Sequence, residues 1–188
     1  MKIIIPMSGF GERFRRVGYK VPKPLINVEN IRIIEHVVNM FSSNEEFIFI
    51  CNQDHLENRS YDLKRILKKI APNCEILGIS PHKLGPVYAV LKAKHLINKN
   101  EPVVVNYCDF TCYWNWKNFK SKVIKNNYIA AIPAYKGFHP HSHQDLITVL
   151  TWTVSWVVDL SSYYYLHANH SVYHYHRTLY IVDAHEIH

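Results

Sequence analysis

The residues best equipped for chemistry begin with Ser8-Gly9-Phe10-Gly11-Glu12-Arg13-Phe14, which follows an apolar run and precedes Val21-Pro22-Lys23-Pro24-Leu25. Glycines let a backbone turn tightly and bring successive N–H groups within reach of phosphate oxygens. Arg13 and Lys23 supply the positive charge that a triphosphate requires. Prolines on both sides of Lys23 stiffen its backbone, so that the ammonium group is held in one place. Together these residues read as a phosphate-binding loop with a charge clamp. The plainer alternative is an ordinary tight turn between strand and helix.

A third group, Asn106-Tyr107-Cys108-Asp109, sets a carboxylate directly after an apolar strand. In open α/β sheets ligands bind at the carboxyl ends of the strands. An Asp there suits Mg²⁺, a hard cation that takes one or two carboxylates and completes its shell with substrate phosphates. The competing reading of Asp109 is a helix cap or a solvated loop carboxylate. Arg15, Arg16 and Lys20 read as a solvated rim that attracts anions, and Lys64, Lys68 and Lys69 as a solvated helix face. His36 and His95 fall in helical patterns and read as surface or satisfied core residues.

Histidine offers a second chemistry. Nine of the thirteen histidines fall between His139 and His188, in a stretch with no lysine and no glycine beyond Gly137. His139-x-His141-x-His143 and His174-x-His176 would share a strand face if extended, and such imidazoles bind Zn²⁺ or Fe²⁺.

The elements that must position these groups follow an alternating rhythm. Strands are expected at 2–6, 47–51, 75–79, 103–107 and 128–135, and helices at 30–41, near 60–71, near 86–97 and near 115–125. Asn30 is placed to cap the first of these helices, with Ile33, Ile34, Val37, Val38 and Phe41 along one face. Such alternation predicts an α/β domain over residues 1–136: a Rossmann-like, doubly wound, mainly parallel sheet with helices on both faces. Residues 137–188 form an atypical segment, in which 146–158 reads as β.

At 188 residues, 48% of them hydrophobic, the chain can bury one substantial core. No apolar stretch is long enough to cross a bilayer and no leader pattern opens the chain, so a cytoplasmic location is expected. Its four cysteines lack CxxC spacing and read as reduced thiols. Charge is uneven: 21 Lys and Arg against 11 Asp and Glu before residue 138, then 1 against 4 after it. The early basic cluster surrounds glycines, which fits a polyphosphate better than a duplex, and no basic helix or aromatic-interleaved basic sheet argues for nucleic acid.

SGFGERF, then PKPL, then an Asp after a central strand resembles the signature of the sugar-phosphate nucleotidylyltransferases, over about residues 1–136. The resemblance implies the nucleotide-diphospho-sugar transferase fold and Mg²⁺-dependent transfer of a nucleoside monophosphate to a phosphorylated small molecule. It also implies that Ser8, Gly9, Phe10, Gly11 and Arg13 bind the nucleotide, Lys23 the transferred α-phosphate, Asp109 the metal, and that Gly85, in Leu84-Gly85-Pro86, lies at the nucleobase turn. The SGFGERF and NYCDF forms are similar to cytidylyltransferase-like members from surface-polysaccharide clusters. A second metal-binding Asp expected late in such a domain has no matching context at Asp145, Asp159 or Asp183. An inactive nucleotide-binding protein and a His-rich metal-binding protein are the rival readings.

Overall fold

The computed structural model describes residues 1–98 and 101–126, together with the strand segments 130–135, 148–149, 156–158 and 180–183. In chain order the elements are β1 (Lys2–Met7), α1 (Glu12–Arg16), β2 (Asn27–Val28), β3 (Ile31–Arg32), α2 (Ile33–Asn39), β4 (Glu46–Asn52), α3 (Gln53–Glu57), α4 (Leu63–Ile70), β5 (Glu75–Ile79), α5 (Gly85–Lys92), β6 (Val103–Val105), α6 (Trp116–Lys125), β7 (Ala130–Tyr135), β8 (Thr148–Val149), β9 (Trp156–Val158) and β10 (Tyr180–Asp183). Short 3₁₀ turns cover Lys23–Leu25 and Lys94–Leu96.

Four strands, in the order β5-β4-β1-β6, run parallel. Ile4 stands level with Ile48 on one side and Val105 on the other. Beyond β6 the sheet continues through β9, β7 and β10, with β9 antiparallel to both β6 and β7, β10 parallel to β7, and β8 paired to β7. The architecture is therefore the expected one, with an antiparallel strand set between β6 and β7.

Successive side chains of a strand point to opposite faces, and that period divides the core in two. Ile3, Ile5 and Met7 of β1 join Phe47, Phe49 and Cys51 of β4 under Ile34 and Val37 of α2, Leu63 and Leu67 of α4, and Phe119 and Val123 of α6. The residues in between, Ile4, Ile48 and Ile50, pack with Val103 under Ala89 and Val90 of α5 and the adjoining Ala93. Burial on both faces is why KIIIP and FIFIC are unbroken apolar runs rather than alternating ones. Among the described residues no helix is long and apolar enough to cross a membrane.

Local departures from the sequence reading have local causes. The helix expected over 30–41 begins only at Ile33, because β2 and β3 form a small antiparallel hairpin before it. Glu29 and Asn30 occupy the turn with φ of 53° and 66°, so Asn30 serves a left-handed turn and caps no helix. Asparagine has both talents, and only the pairing of Val28 with Ile31 reveals which one is used. α3 is an unforeseen helix: the Asn52 side chain accepts the Asp54 N–H at 2.9 Å and starts it. The helix near 60–71 runs from Leu63, after Asp62 at φ 49°, and that near 86–97 gives way at Ala93 to a 3₁₀ turn. His36 is satisfied by the Val28 carbonyl, 2.9 Å from its Nε2.

One polar group anchors the bottom of the sheet. The Glu45 carboxylate, 5% exposed, accepts hydrogen bonds from Lys120 at 2.7 and 2.9 Å and from the Trp116 indole at 2.9 Å, with the Met1 ammonium at 3.7 Å. A buried carboxylate is tolerable only while it is partnered. Lys120→Ala removes its strongest partner and should lower stability by roughly 1–3 kcal/mol, read as a reduced urea midpoint at unchanged slope.

Candidate functional site

β1 delivers the chain to the carboxyl edge of the sheet at Ser8, which is 4% exposed. Gly9 and Phe10 follow, and Gly11 turns the backbone at φ 64°, where a side chain would be strained. Its carbonyl then accepts the N–H groups of Phe14 and Arg15 at 3.0 and 3.1 Å, which winds the single turn of α1. Arg13 projects from that turn to the rim of a cleft.

The chain returns through Val21-Pro22-Lys23-Pro24-Leu25. Pro22 and Pro24 are buried, the Pro22 carbonyl accepts the Leu25 N–H at 2.8 Å, and Lys23 is held between them with its side chain 29% exposed. The Lys23 ammonium lies 5.1 Å from the centre of the Phe14 ring and is ion-paired to the Asp109 carboxylate. The clamp of the first loop and the carboxylate after β6 thus meet although 86 positions separate them.

Asp109 owes its place to Asn106, which is wholly buried. The Asn106 backbone N–H continues the ladder to the Ile4 carbonyl at 3.0 Å. Its side-chain amide donates to the carbonyls of Tyr107 at 2.9 Å and Phe110 at 3.1 Å, folding the segment around Asp109 into a closed turn. An apolar residue of the same size could not hold those carbonyls.

The opposite wall comes from the segment between β5 and α5. Gly85 opens α5 at φ 82° and Pro86 follows it, an arrangement that suits a helix start. His82 reaches back across the cleft, its Nε2 3.1 Å from Ser8 Oγ, while its Nδ1 accepts the Leu84 N–H at 3.2 Å.

The space enclosed is a cleft of about 820 Å³. Ser8, Gly9, Phe10, Gly11, Arg13, Lys23 and Gly85, the residues singled out from the sequence, all line it. Asp109 adjoins it through Lys23 and through Tyr107 and Cys108, which form part of the lining. His82, Tyr107 and Cys108 are additions that sequence reasoning missed. A lone histidine in a loop carries no periodic signal, although its place just before Leu84-Gly85-Pro86 was a usable clue. Arg15 and Lys20 serve a different space, a smaller cleft of about 200 Å³ behind the loop, beside Asn52, His55 and Tyr61. Burial holds the His55 imidazole below the usual histidine range, against the pull of Asp54 in the opposite direction.

Among the described residues no group of three or more His, Cys, Asp or Glu side chains is arranged to hold a metal. Asp109 offers hard oxygen donors beside a phosphate-sized space, a donor set that fits Mg²⁺ with the remaining ligands drawn from substrate and water. Asp183 ends β10 at the far side of the sheet. Asp145, Asp159 and the histidines 139, 141, 143, 174 and 176 lie outside the described residues.

The surroundings of the thiols favour their protonated form. Burial, with the Asp109 charge adding to it, pushes Cys108 up to about 12, and burial pushes Cys112 up to about 11. Cys51 and Cys74 are raised by the same cause. At pH 8 a thiol with a pKa near 12 is about 10⁻⁴ thiolate, so iodoacetamide should label Cys108 far more slowly in the folded chain than in urea. Mass spectrometry of labelled peptides checks this, and rapid labelling in the folded state contradicts the burial described.

Comparison with known proteins adds three findings. The family model described as nucleotidyl transferase matches residues 2–138. Among solved structures, a UDP-glucose pyrophosphorylase from Acinetobacter baumanii superposes with a TM-score of 0.57 at 21% identity, covering 73% of this chain and 56% of that one. A nucleoside-diphosphate-sugar pyrophosphorylase from Vibrio cholerae RC9 gives 0.58 at 15% identity, covering 97% and 84%, and an inositol-1-phosphate CTP transferase from T. maritima gives 0.57 at 17%, covering 72% and 53%. The chain thus spans little more than half the length of two of these three. No curated protein matches it by sequence.

Proposed function

The chain belongs to the nucleotidyl transferase family, and from that premise we propose that it transfers a nucleoside monophosphate from CTP, UTP or dTTP to a phosphorylated sugar or related small phosphate, releasing pyrophosphate. The observation that carries this reading is the convergence at one sheet edge of the 8–11 loop, Arg13, Lys23 and Asp109 around a single cleft.

The arrangement suits in-line attack by an acceptor phosphate oxygen on the α-phosphorus. Such a reaction asks the protein chiefly to position its reactants and to neutralise oxygen charge. The 8–11 loop and Arg13 line the cleft together, where the loop's backbone N–H groups and the guanidinium would be available to a triphosphate. In the ligand-free chain Lys23 and Asp109 satisfy one another. A triphosphate would give the Lys23 ammonium a more highly charged partner at the α-phosphate, and Asp109 is the residue that would hold Mg²⁺. The bound cation would supply charge neutralisation across the phosphate oxygens. In cells the product would serve as an activated precursor for surface polysaccharide, made in the cytoplasm. Residues 1–136 are proposed to carry the transfer chemistry, with 137–188 as an atypical, divergent end of the same domain, three short strands of which join the same sheet.

Thermal stabilisation of the chain by CTP, UTP, dTTP, ATP and GTP, each with and without Mg²⁺, tests the reading, because a ligand that binds only the native state raises the midpoint. One preferred pyrimidine triphosphate whose effect depends on Mg²⁺ is expected. No shift with any of them overturns the assignment. Arg13→Ala and Lys23→Ala should each lower pyrophosphate release by about 10²–10³-fold. Unchanged turnover in both removes their roles. A triphosphate that binds to the chain without any turnover would point instead to a nucleotide-binding protein that has lost catalysis.

A further inference from the structure

We propose that His82 is a positioning residue of this cleft. A neutral imidazole with its proton on Nε2 fixes the Ser8 hydroxyl, so that Ser8 donates its own hydrogen to an acceptor oxygen of the bound nucleotide. The inference rests on the nucleotidyltransferase reading of the cleft and extends it to a residue with no counterpart in the motifs already described.

The tautomer follows from the partners. A backbone N–H can only donate, and the Leu84 N–H lies 3.2 Å from Nδ1, so Nδ1 presents its lone pair. In the neutral ring the proton then sits on Nε2, 3.1 Å from Ser8 Oγ, and the serine oxygen accepts it. The hydroxyl hydrogen of Ser8 is thereby left free to donate, and Ser8 lines the cleft. The bonds form a directed chain, Leu84 N–H to His82 to Ser8 to ligand, in which each bond polarises the next.

The ring is also held mechanically. It stands edge-on to Tyr88, with ring centres 4.6 Å apart, and the Lys92 ammonium lies 4.9 Å from the centre of the Tyr88 ring. Tyr88 and Lys92 are one helical turn apart in α5, so the imidazole moves with that helix. Ser8 directly follows β1, an inner strand of the parallel group, whereas His82 follows β5 at its edge. The contact between Ser8 and His82 therefore spans the cleft and sets the distance between the loop that would carry the phosphates and the turn at Gly85.

Amide substitutions separate the two halves of this contact. The Asn amide oxygen can stand in for Nδ1 and keep the Leu84 bond alone, whereas the Gln amide nitrogen can stand in for Nε2 and keep the Ser8 bond. Calorimetric titration with CTP, UTP and dTTP, in Mg²⁺ and without acceptor, would compare wild type, Ser8→Ala, His82→Asn, His82→Gln and the Ser8→Ala/His82→Asn double variant. With the preferred triphosphate, Ser8→Ala and His82→Asn should each weaken binding about tenfold and the double variant no further, since both break one chain of bonds. His82→Gln should recover most of the affinity. Affinity unchanged in His82→Asn, or losses that multiply in the double variant, overturns the role of His82 while leaving the nucleotide site intact. Failure of the wild type to bind any of the three overturns the nucleotidyltransferase reading, and this inference falls with it.

Discussion

Parallel pairing of β1 with β4 on one side and β6 on the other is the constraint from which the site follows. Strands that run the same way discharge their chains at the same edge, so the loop after Met7 and the turn after Val105 emerge side by side. Had β6 run antiparallel to β1, Asp109 and Lys23 would have lain at opposite ends of the sheet. Burial on both faces enforces the pairing: Ile3, Ile5 and Met7 are claimed by one helical layer and Ile4 by the other, so a one-residue slip would exchange the two cores.

At that edge the forces change from apolar to ionic. The ion pair of Lys23 with Asp109 is partly exposed and contributes little to stability by itself. Its interest is that each charge holds the other in place beside the cleft. Asn106 fixes one end through buried hydrogen bonds to two carbonyls, and the flanking prolines fix the other. The loop on the far wall depends on the same kind of polar brace, between His82 and Ser8.

Much of this was legible in the residues. KIIIP and FIFIC could hardly be anything but buried strands, and the bounds of the half-buried β5 coincide with those read from EILGI. The glycine loop, Arg13, PKP and Asp109 stood out by type and order, and the structure gathers them at one edge. Where reading failed, one residue type had two uses. Asn30 is equally fit to cap a helix or to turn a hairpin, and Asn52 in an apolar strand gave no hint that it would start α3. His82 escaped because its value lies in partners 74 positions away in one direction and two in the other. No local pattern encodes the first of those contacts.

The strand order carries a consequence for how the chain is made. β6 and β7 are successive strands in the chain, yet β9 lies between them in the sheet. The parallel group β5-β4-β1-β6 can close as soon as β6 has been synthesised, because each of its partners precedes residue 106. β7 must wait, since among the described residues its pairings are to β8, β9 and β10, which come later. During synthesis, therefore, the half of the sheet that carries the cleft can fold first, while a finished β-strand stands exposed and unpartnered until at least residue 148 has emerged. That interval is when edge-to-edge association would compete with correct assembly.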